Sequence, residues 1–180
     1  MKNAVLLMDY QNRYVSIESP SYIKGAEALE RKISLFLKDV QEYAYVVATH
    51  DYLKDDWSET NYQRLYINEG FVHMLLKKYD NVRYQNMKNT SCFANQSVKD
   101  FFKTFDNLFV LGVAHDEGFR RSINDLNFFN NVPRIYVVKD LTITQNKANS
   151  VALFDSLEGQ DIKIITADEV LDTMKYNTKV

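Results

Sequence analysis

Apolar residues follow two rhythms along this chain. Asn3-Ala-Val-Leu-Leu-Met-Asp9 is a short unbroken apolar run that ends in a carboxylate, the pattern of a strand buried on both faces. After a polar loop containing Pro20 the spacing changes. Ile23, Ala26, Leu29, Ile33, Phe36, Leu37 and Val40 recur with charges between them, at the period of about 3.6 that marks an amphipathic helix. Further β-rich runs at Tyr43–Thr49, Val82–Met87, Asn107–Val113, Arg134–Lys139 and Asp161–Ile165 predict strands. Helical spacing fits Tyr62–Tyr79, Ser97–Phe105, Glu117–Phe129, Ala148–Leu157 and Ala167–Met174. Thr166 stands before Ala167-Asp-Glu as an N-cap with acids in the first turn.

Strand and helix therefore alternate, and parallel neighbours need right-handed crossovers that cover the sheet. The expected architecture is α/β: a three-layer α/β/α Rossmann-like sandwich on a mostly parallel six-stranded sheet, with residues 1–180 forming one domain. In such sheets ligands bind beyond the carboxyl ends of the strands, near the point where strand order reverses. The polar residues at those ends are Asp9 with Gln11 and Asn12, Thr49-His50-Asp51, Lys88, Ala114-His115-Asp116-Glu117-Gly118, and Asp140.

Composition narrows the function classes. The chain has 46% hydrophobic and 26% charged residues, with 5 Gly and 2 Pro, which fits a compact fold and argues against disorder. At 180 residues it can bury about 70% of the surface exposed when unfolded. A net charge of −2 with scattered cations disfavours a nucleic-acid partner, since phosphate backbones need clustered Lys and Arg. No apolar run approaches the ~20 residues needed to cross a bilayer. The single cysteine, Cys92, cannot form an internal disulfide, and no basic-then-apolar leader opens the chain. A cytoplasmic protein acting on a small molecule, without a membrane partner, is expected.

Leu6-Leu-Met-Asp-Tyr-Gln-Asn12 with Tyr14 resembles the first strand and loop of the isochorismatase-like hydrolase superfamily, which includes nicotinamidases and vinyl-ether hydrolases. Val46-Val-Ala-Thr-His-Asp51 is similar to that family's second strand, Lys88 with Ser91-Cys-Phe93 to its lysine and following small-small-Phe motif, and Leu111-Gly-Val-Ala-His-Asp-Glu-Gly118 to its nucleophile loop. Arg134–Asp140 and Ile164-Ile-Thr-Ala-Asp-Glu-Val-Leu171 match its last two strand units in order and spacing.

The resemblance implies a catalytic trio of Asp9, Lys88 and position 118. In the amidase branch position 118 is the cysteine that forms an acyl-enzyme, and here it is Gly118. Glycine offers no nucleophile, so the covalent route is closed at this position. Glycine also occurs in the family's true isochorismatases, which cleave a vinyl ether by acid catalysis and water attack. On that pattern Asp9 is the general acid, and Lys88 positions substrate and tunes the carboxyl group. The backbone N–H groups of Ala114 and Gly118 line an anion pocket, and the Val113–Ala114 peptide is cis. Gln11, Tyr14, Phe93 and His115 are the expected substrate contacts. Lys88 stands three residues before Ser91, where the family spacing is four. Of the amidase metal ligands only Asp51 and His73 have counterparts, too few for a usual site, so neither metal nor cofactor is expected.

Each residue also has a plainer reading. Asp9 can cap a turn, Lys88 can be a loop cation, and Cys92 can be a buried packing residue rather than a relocated nucleophile. His115 can orient its turn, and Arg120 and Arg121 can be a solvated helix face. Tyr14, Tyr52, Trp57 and Phe93 can anchor core or loops. The leading expectation is a hydrolase acting on a vinyl ether or amide through an Asp/Lys pair. The alternative is an inactive relative that binds a small molecule or a partner protein. A nucleotide-binding fold ranks last, because Asp-Tyr-Gln-Asn-Arg after the first strand lacks the glycines that admit a pyrophosphate. Homo-oligomerisation is expected from the relatives and from an aromatic content of 13%.

Overall fold

The computed structural model describes residues 1–52, 66, 83–85, 91–94, 96–114, 116–127 and 133–178. Among those residues five strands form a parallel sheet: β1 (Asn3–Met8), β2 (Ala44–Ala48), β5 (Asn107–Ala114), β6 (Arg134–Thr144) and β7 (Lys163–Ile165), in the order β2-β1-β5-β6-β7. Two further strands, β3 (His50–Tyr52) and β4 (Arg83–Gln85), pair in parallel as a separate ribbon. The expectation of six strands in one sheet is therefore corrected. The run at Val82–Met87 does supply a parallel strand, but its partner is the extension of β2 beyond Thr49. Regular pairing of β2 with β1 stops at Ala48 and Leu7, so the chain past Thr49 is released from β1 and takes β4 instead.

Both faces of the sheet are covered, which explains why its strands read as apolar runs rather than alternating ones. Val5 and Leu7 of β1, Phe109, Leu111 and Val113 of β5, and Tyr136 and Val138 of β6 face one core. That core is closed by Ile33, Phe36, Leu37 and Val40 of α2 (Glu30–Val40) and by Val170 and Met174 of α6 (Ala167–Thr178). The intervening strand residues Ala4, Leu6, Met8, Leu108, Val110, Ile135 and Val137 face a second core. It is closed by α3 (Gln96–Phe102), α4 (Asp116–Asn127) and α5 (Lys147–Glu158). The three-layer α/β/α expectation holds.

Helix starts differ from the sequence spacing where local chemistry intervenes. The first amphipathic stretch becomes helical only from Glu27, first as a 3-10 turn and then as α2, because Gly25 adopts φ +89° and turns the chain before it. At α6 the expected Thr166 cap is a full capping box. Glu169 N donates to Thr166 Oγ1 at 3.4 Å, and Glu169 Oε2 accepts from Thr166 N at 2.6 Å. Asp140 closes the same end by accepting from Ala167 N at 2.9 Å. It reaches there because β6 carries extra residues against β5: the register passes from Val110↔Val137 to Gly112↔Thr142, lifting exposed Lys139 and Asp140 out of the ladder.

The hydrogen bonds from the Thr166 backbone, then its hydroxyl, hold the Glu169 carboxyl below its ordinary value. A folded-state value below the unfolded one adds stability above the unfolded pKa of about 4.3 and loses it as pH falls through the folded value. Glu169→Gln is thus expected to lower Tm at pH 7, with the gap from wild type closing below about pH 4. A gap that stays constant down to pH 3 would assign the effect to packing instead.

Candidate active site

The chain runs from β1 outward to β2 on one side, then returns to β5 on the other side of β1. Strand order therefore reverses between β1 and β5, and their carboxyl ends, Asp9 and Ala114, flank the crevice where such sheets bind ligands.

Asp9 leaves β1 with φ +50°, a left-handed conformation that Asp tolerates better than most residues. Asp9 O accepts from Gln11 N at 2.8 Å, and Gln11 O accepts from Tyr14 N and Val15 N, which starts the short helix α1 (Asn12–Val15). Thr49, at the end of β2, holds Asp9 from the side: its Oγ1 donates to Asp9 Oδ1 at 2.9 Å and accepts from Asp9 N at 3.3 Å. The loop is anchored by Tyr10, whose hydroxyl donates to Ala26 O at 2.6 Å. Burial, reinforced by the charges of Glu30 and Glu27 and by Tyr66, pushes that phenol far above its ordinary value, so it acts as a fixed neutral donor.

β5 ends at Ala114 and α4 begins at Asp116, with Gly118 in the first turn of that helix. Ser122 Oγ donates to Gly118 O at 2.8 Å and accepts from Cys92 N at 3.1 Å. The Ser91–Ala94 turn is thereby tied to the helix that carries position 118. Phe93 N donates to Ser91 Oγ at 3.0 Å, and the Phe93 ring meets Phe102 edge-on at 5.4 Å between centroids.

Among the expected site residues, Asp9 closes β1, Ala114 closes the neighbouring β5, and Gly118 lies in the first turn of α4. Gln11, Tyr14 and Phe93 stand close in sequence to the crevice but are buried, Tyr14 in the core beneath α2 and Phe93 in the core beneath α4. Cys92 is buried too, while Arg120 and Arg121 are exposed on α4. No peptide bond among the described residues is cis, so the cis expectation for Val113–Ala114 is corrected; β5 instead stays extended and paired through Ala114↔Thr144. Lys88, His115, His73 and the Asp51 side chain lie outside the described residues. Among those described, no group of His, Cys, Asp or Glu is arranged to hold a metal. The residue that sequence reasoning passed over is Thr49. It stood in the strand-end inventory without a role, although a β-branched hydroxyl closing a strand beside a carboxylate was the available signal.

A Cβ added at Gly118 would meet nothing within 4 Å. Gly118→Ala should therefore fit and, as a helical Gly→Ala change, stabilise by about 0.5–1 kcal/mol in urea unfolding. In Gly118→Cys the new thiol at a helix N-terminus is expected to label rapidly with a thiol reagent at neutral pH, whereas native wild type, with only buried Cys92, resists. Destabilisation by Ala, or a silent thiol in the Cys variant, would show that this space is filled.

No protein-family model matches the chain, and no curated protein sequence does either. Solved structures do match. The pyrazinamidase of Pyrococcus horikoshii in complex with zinc superposes with a TM-score of 0.75 at 12% identity, covering 92% of this chain and 99% of its own. An isochorismatase-like hydrolase from Alkaliphilus metalliredigens gives 0.75 at 16% identity, covering 96% and 97%. The MAR1 ribonuclease of Caenorhabditis elegans gives 0.67 at 11% identity, covering 96% and 81%. Together with the strand order, these likenesses show that the chain has the isochorismatase-like hydrolase fold.

Proposed function

We propose that the protein is a hydrolase that cleaves a vinyl ether or an amide in a small organic molecule, using Asp9 and Lys88 and no cysteine nucleophile. The observation that carries this reading is the carboxyl group of Asp9, fixed by Thr49 at the point where strand order reverses; by the resemblance Gly118, in the first turn of α4, takes the place of the nucleophile. In the vinyl-ether reaction protonated Asp9 gives its proton to the terminal vinyl carbon, leaving an oxocarbenium ion. Water adds to the cationic carbon and passes a proton back to Asp9. The resulting hemiketal breaks its C–O bond to give a carbonyl compound and an alcohol. In an amide reaction the same carboxylate takes the proton of the attacking water and returns it to the leaving amine. Lys88 holds the substrate's negative charge, and the backbone N–H groups of Ala114 and Gly118 support oxygen charge in the transition state.

The experiment is a turnover screen with isochorismate, nicotinamide and a panel of small amides and esters. It compares wild type with Asp9→Ala and Cys92→Ser, with and without a chelator. Turnover that needs Asp9 but neither Cys92 nor metal supports the reading. Gly118 also favours a second one, a protein that binds a small molecule without transforming it, because loss of the nucleophile is what decay of activity would leave. Ligand binding without turnover across the panel would select that alternative.

A further inference from the structure

The last bonds between β1 and β2 are unlike the ladder before them. Regular pairing ends at Leu7 and Ala48, and Thr49 N donates to Leu7 O at 2.9 Å. One residue later the left-handed backbone of Asp9 directs both its N–H and its carboxyl group at the same hydroxyl. Asp9 N donates to Thr49 Oγ1 at 3.3 Å, and Thr49 Oγ1 donates to Asp9 Oδ1 at 2.9 Å. Thr49 is only 1% exposed, so bulk water does not compete for that hydroxyl. A hydroxyl has a single proton. With the Asp9 N–H on one of its lone pairs, the hydroxyl gives that proton to Oδ1, so Oδ1 is the acceptor in the contact the structure shows. The branched Cβ of Thr49 restricts its rotamer, which keeps the hydroxyl in this place.

We propose that Thr49 is a positioning residue for Asp9: its hydroxyl reserves Oδ1 as an acceptor, so that the proton Asp9 releases and recovers is carried on Oδ2. The inference rests on the reading of Asp9 as the acid and deepens it. When Oδ2 gives its proton to substrate, the carboxyl group becomes an anion and the Thr49 O–H···Oδ1 bond becomes charge-assisted, roughly twice as strong as a neutral one. Thr49 thus favours the state that proton release creates.

The test is a carboxyl-carbon NMR titration of Asp9 in wild type, Thr49→Val and Thr49→Ser, beside the pH profile of kcat/KM on whichever panel substrate is turned over. Thr49→Val is expected to raise the Asp9 midpoint by roughly one pH unit and to move the corresponding limb of the profile equally, while Thr49→Ser restores both. A folded Thr49→Val protein with an unmoved Asp9 midpoint overturns the proposal. Should the valine variant fail to fold, the wild-type Thr49 hydroxyl proton supplies the readout. Slow exchange with a nuclear Overhauser contact to the Asp9 amide proton supports the clamp, and rapid exchange without that contact overturns it. The two readings separate cleanly: a shifted midpoint in a protein whose turnover survives Asp9→Asn sinks the acid role and keeps the clamp, whereas an unmoved midpoint with Asp9-dependent turnover sinks the clamp alone.

Discussion

Gly112→Ala is expected to lower the unfolding free energy by about 4 kcal/mol or more, and Gly112→Val to leave no folded protein. Gly112 lies in β5 at φ +114°, and a Cβ there would stand 2.3 Å from Met8 O and 2.9 Å from Met8 N. Those atoms are backbone of the neighbouring strand, so no side chain can swing away. The left-handed φ alone costs an L-residue about 1–2 kcal/mol. Relieving the clash means parting β1 from β5, the two strands at the middle of the sheet whose side chains fill both cores. Against a typical total of about 5–15 kcal/mol, that loss is close to disabling. Urea unfolding followed by far-UV circular dichroism measures it, and an alanine variant with an unchanged midpoint would mean that the strands are not this close.

Asp9→Asn is expected to reduce turnover by about 10²–10⁴-fold while leaving Tm within about 2 °C of wild type. The two effects separate because asparagine keeps everything except the acid. It tolerates the left-handed backbone at φ +50°, and its Oδ1 still accepts the Thr49 hydroxyl now bound at 2.9 Å. Asp9→Ala loses activity as well but also gives up both supports, so its Tm should fall clearly below that of the asparagine variant. Steady-state rates on a substrate found by the panel, set beside thermal melts of the three proteins, decide the matter. Near-wild-type turnover in Asp9→Asn would remove Asp9 from the chemistry, and a collapsed Tm would make it a structural cap.

Apart from the helix expected over Tyr62–Tyr79, which lies outside the described residues, the order of strands and helices was legible because burial on two faces writes itself as unbroken apolar runs, as in Ala4–Met8 and Leu108–Leu111, and helices on both faces write a separate period between them. The placement of Asp9 at the carboxyl end of β1 followed from the same pattern. The division of the expected sheet at Thr49 was not legible, since a register that ends after Ala48 depends on the backbone angle of Asp9, which lies 40 residues away in sequence. The clamp escaped for the same reason: its partners meet only after the crossover through α2 is made. Tyr14 and Phe93 show a further limit. Their sequence neighbourhood is that of the candidate site and their rings are buried among core residues, a depth that periodicity alone does not give. The late start of α2 needed the positive φ of Gly25, a signal available only as the presence of a glycine.

The partners of β1 have an unequal claim on time during synthesis. β2 follows β1 within one short crossover, so the β1–α2–β2 unit can close while the rest of the chain is still being made. Asn3 of β1 is matched to Asn107 of β5, 104 residues later, which at typical elongation rates is a delay of roughly 5–20 s. Through that interval one edge of β1, apolar on both faces, has no native neighbour and can pair with a strand of another nascent chain. The ends of β1 and β5 come together only late, since the second of them arrives with β5 and α4. The same central position that gives Asp9 its setting therefore exposes a growing chain to mispairing, and overexpression at reduced temperature is expected to raise the soluble yield.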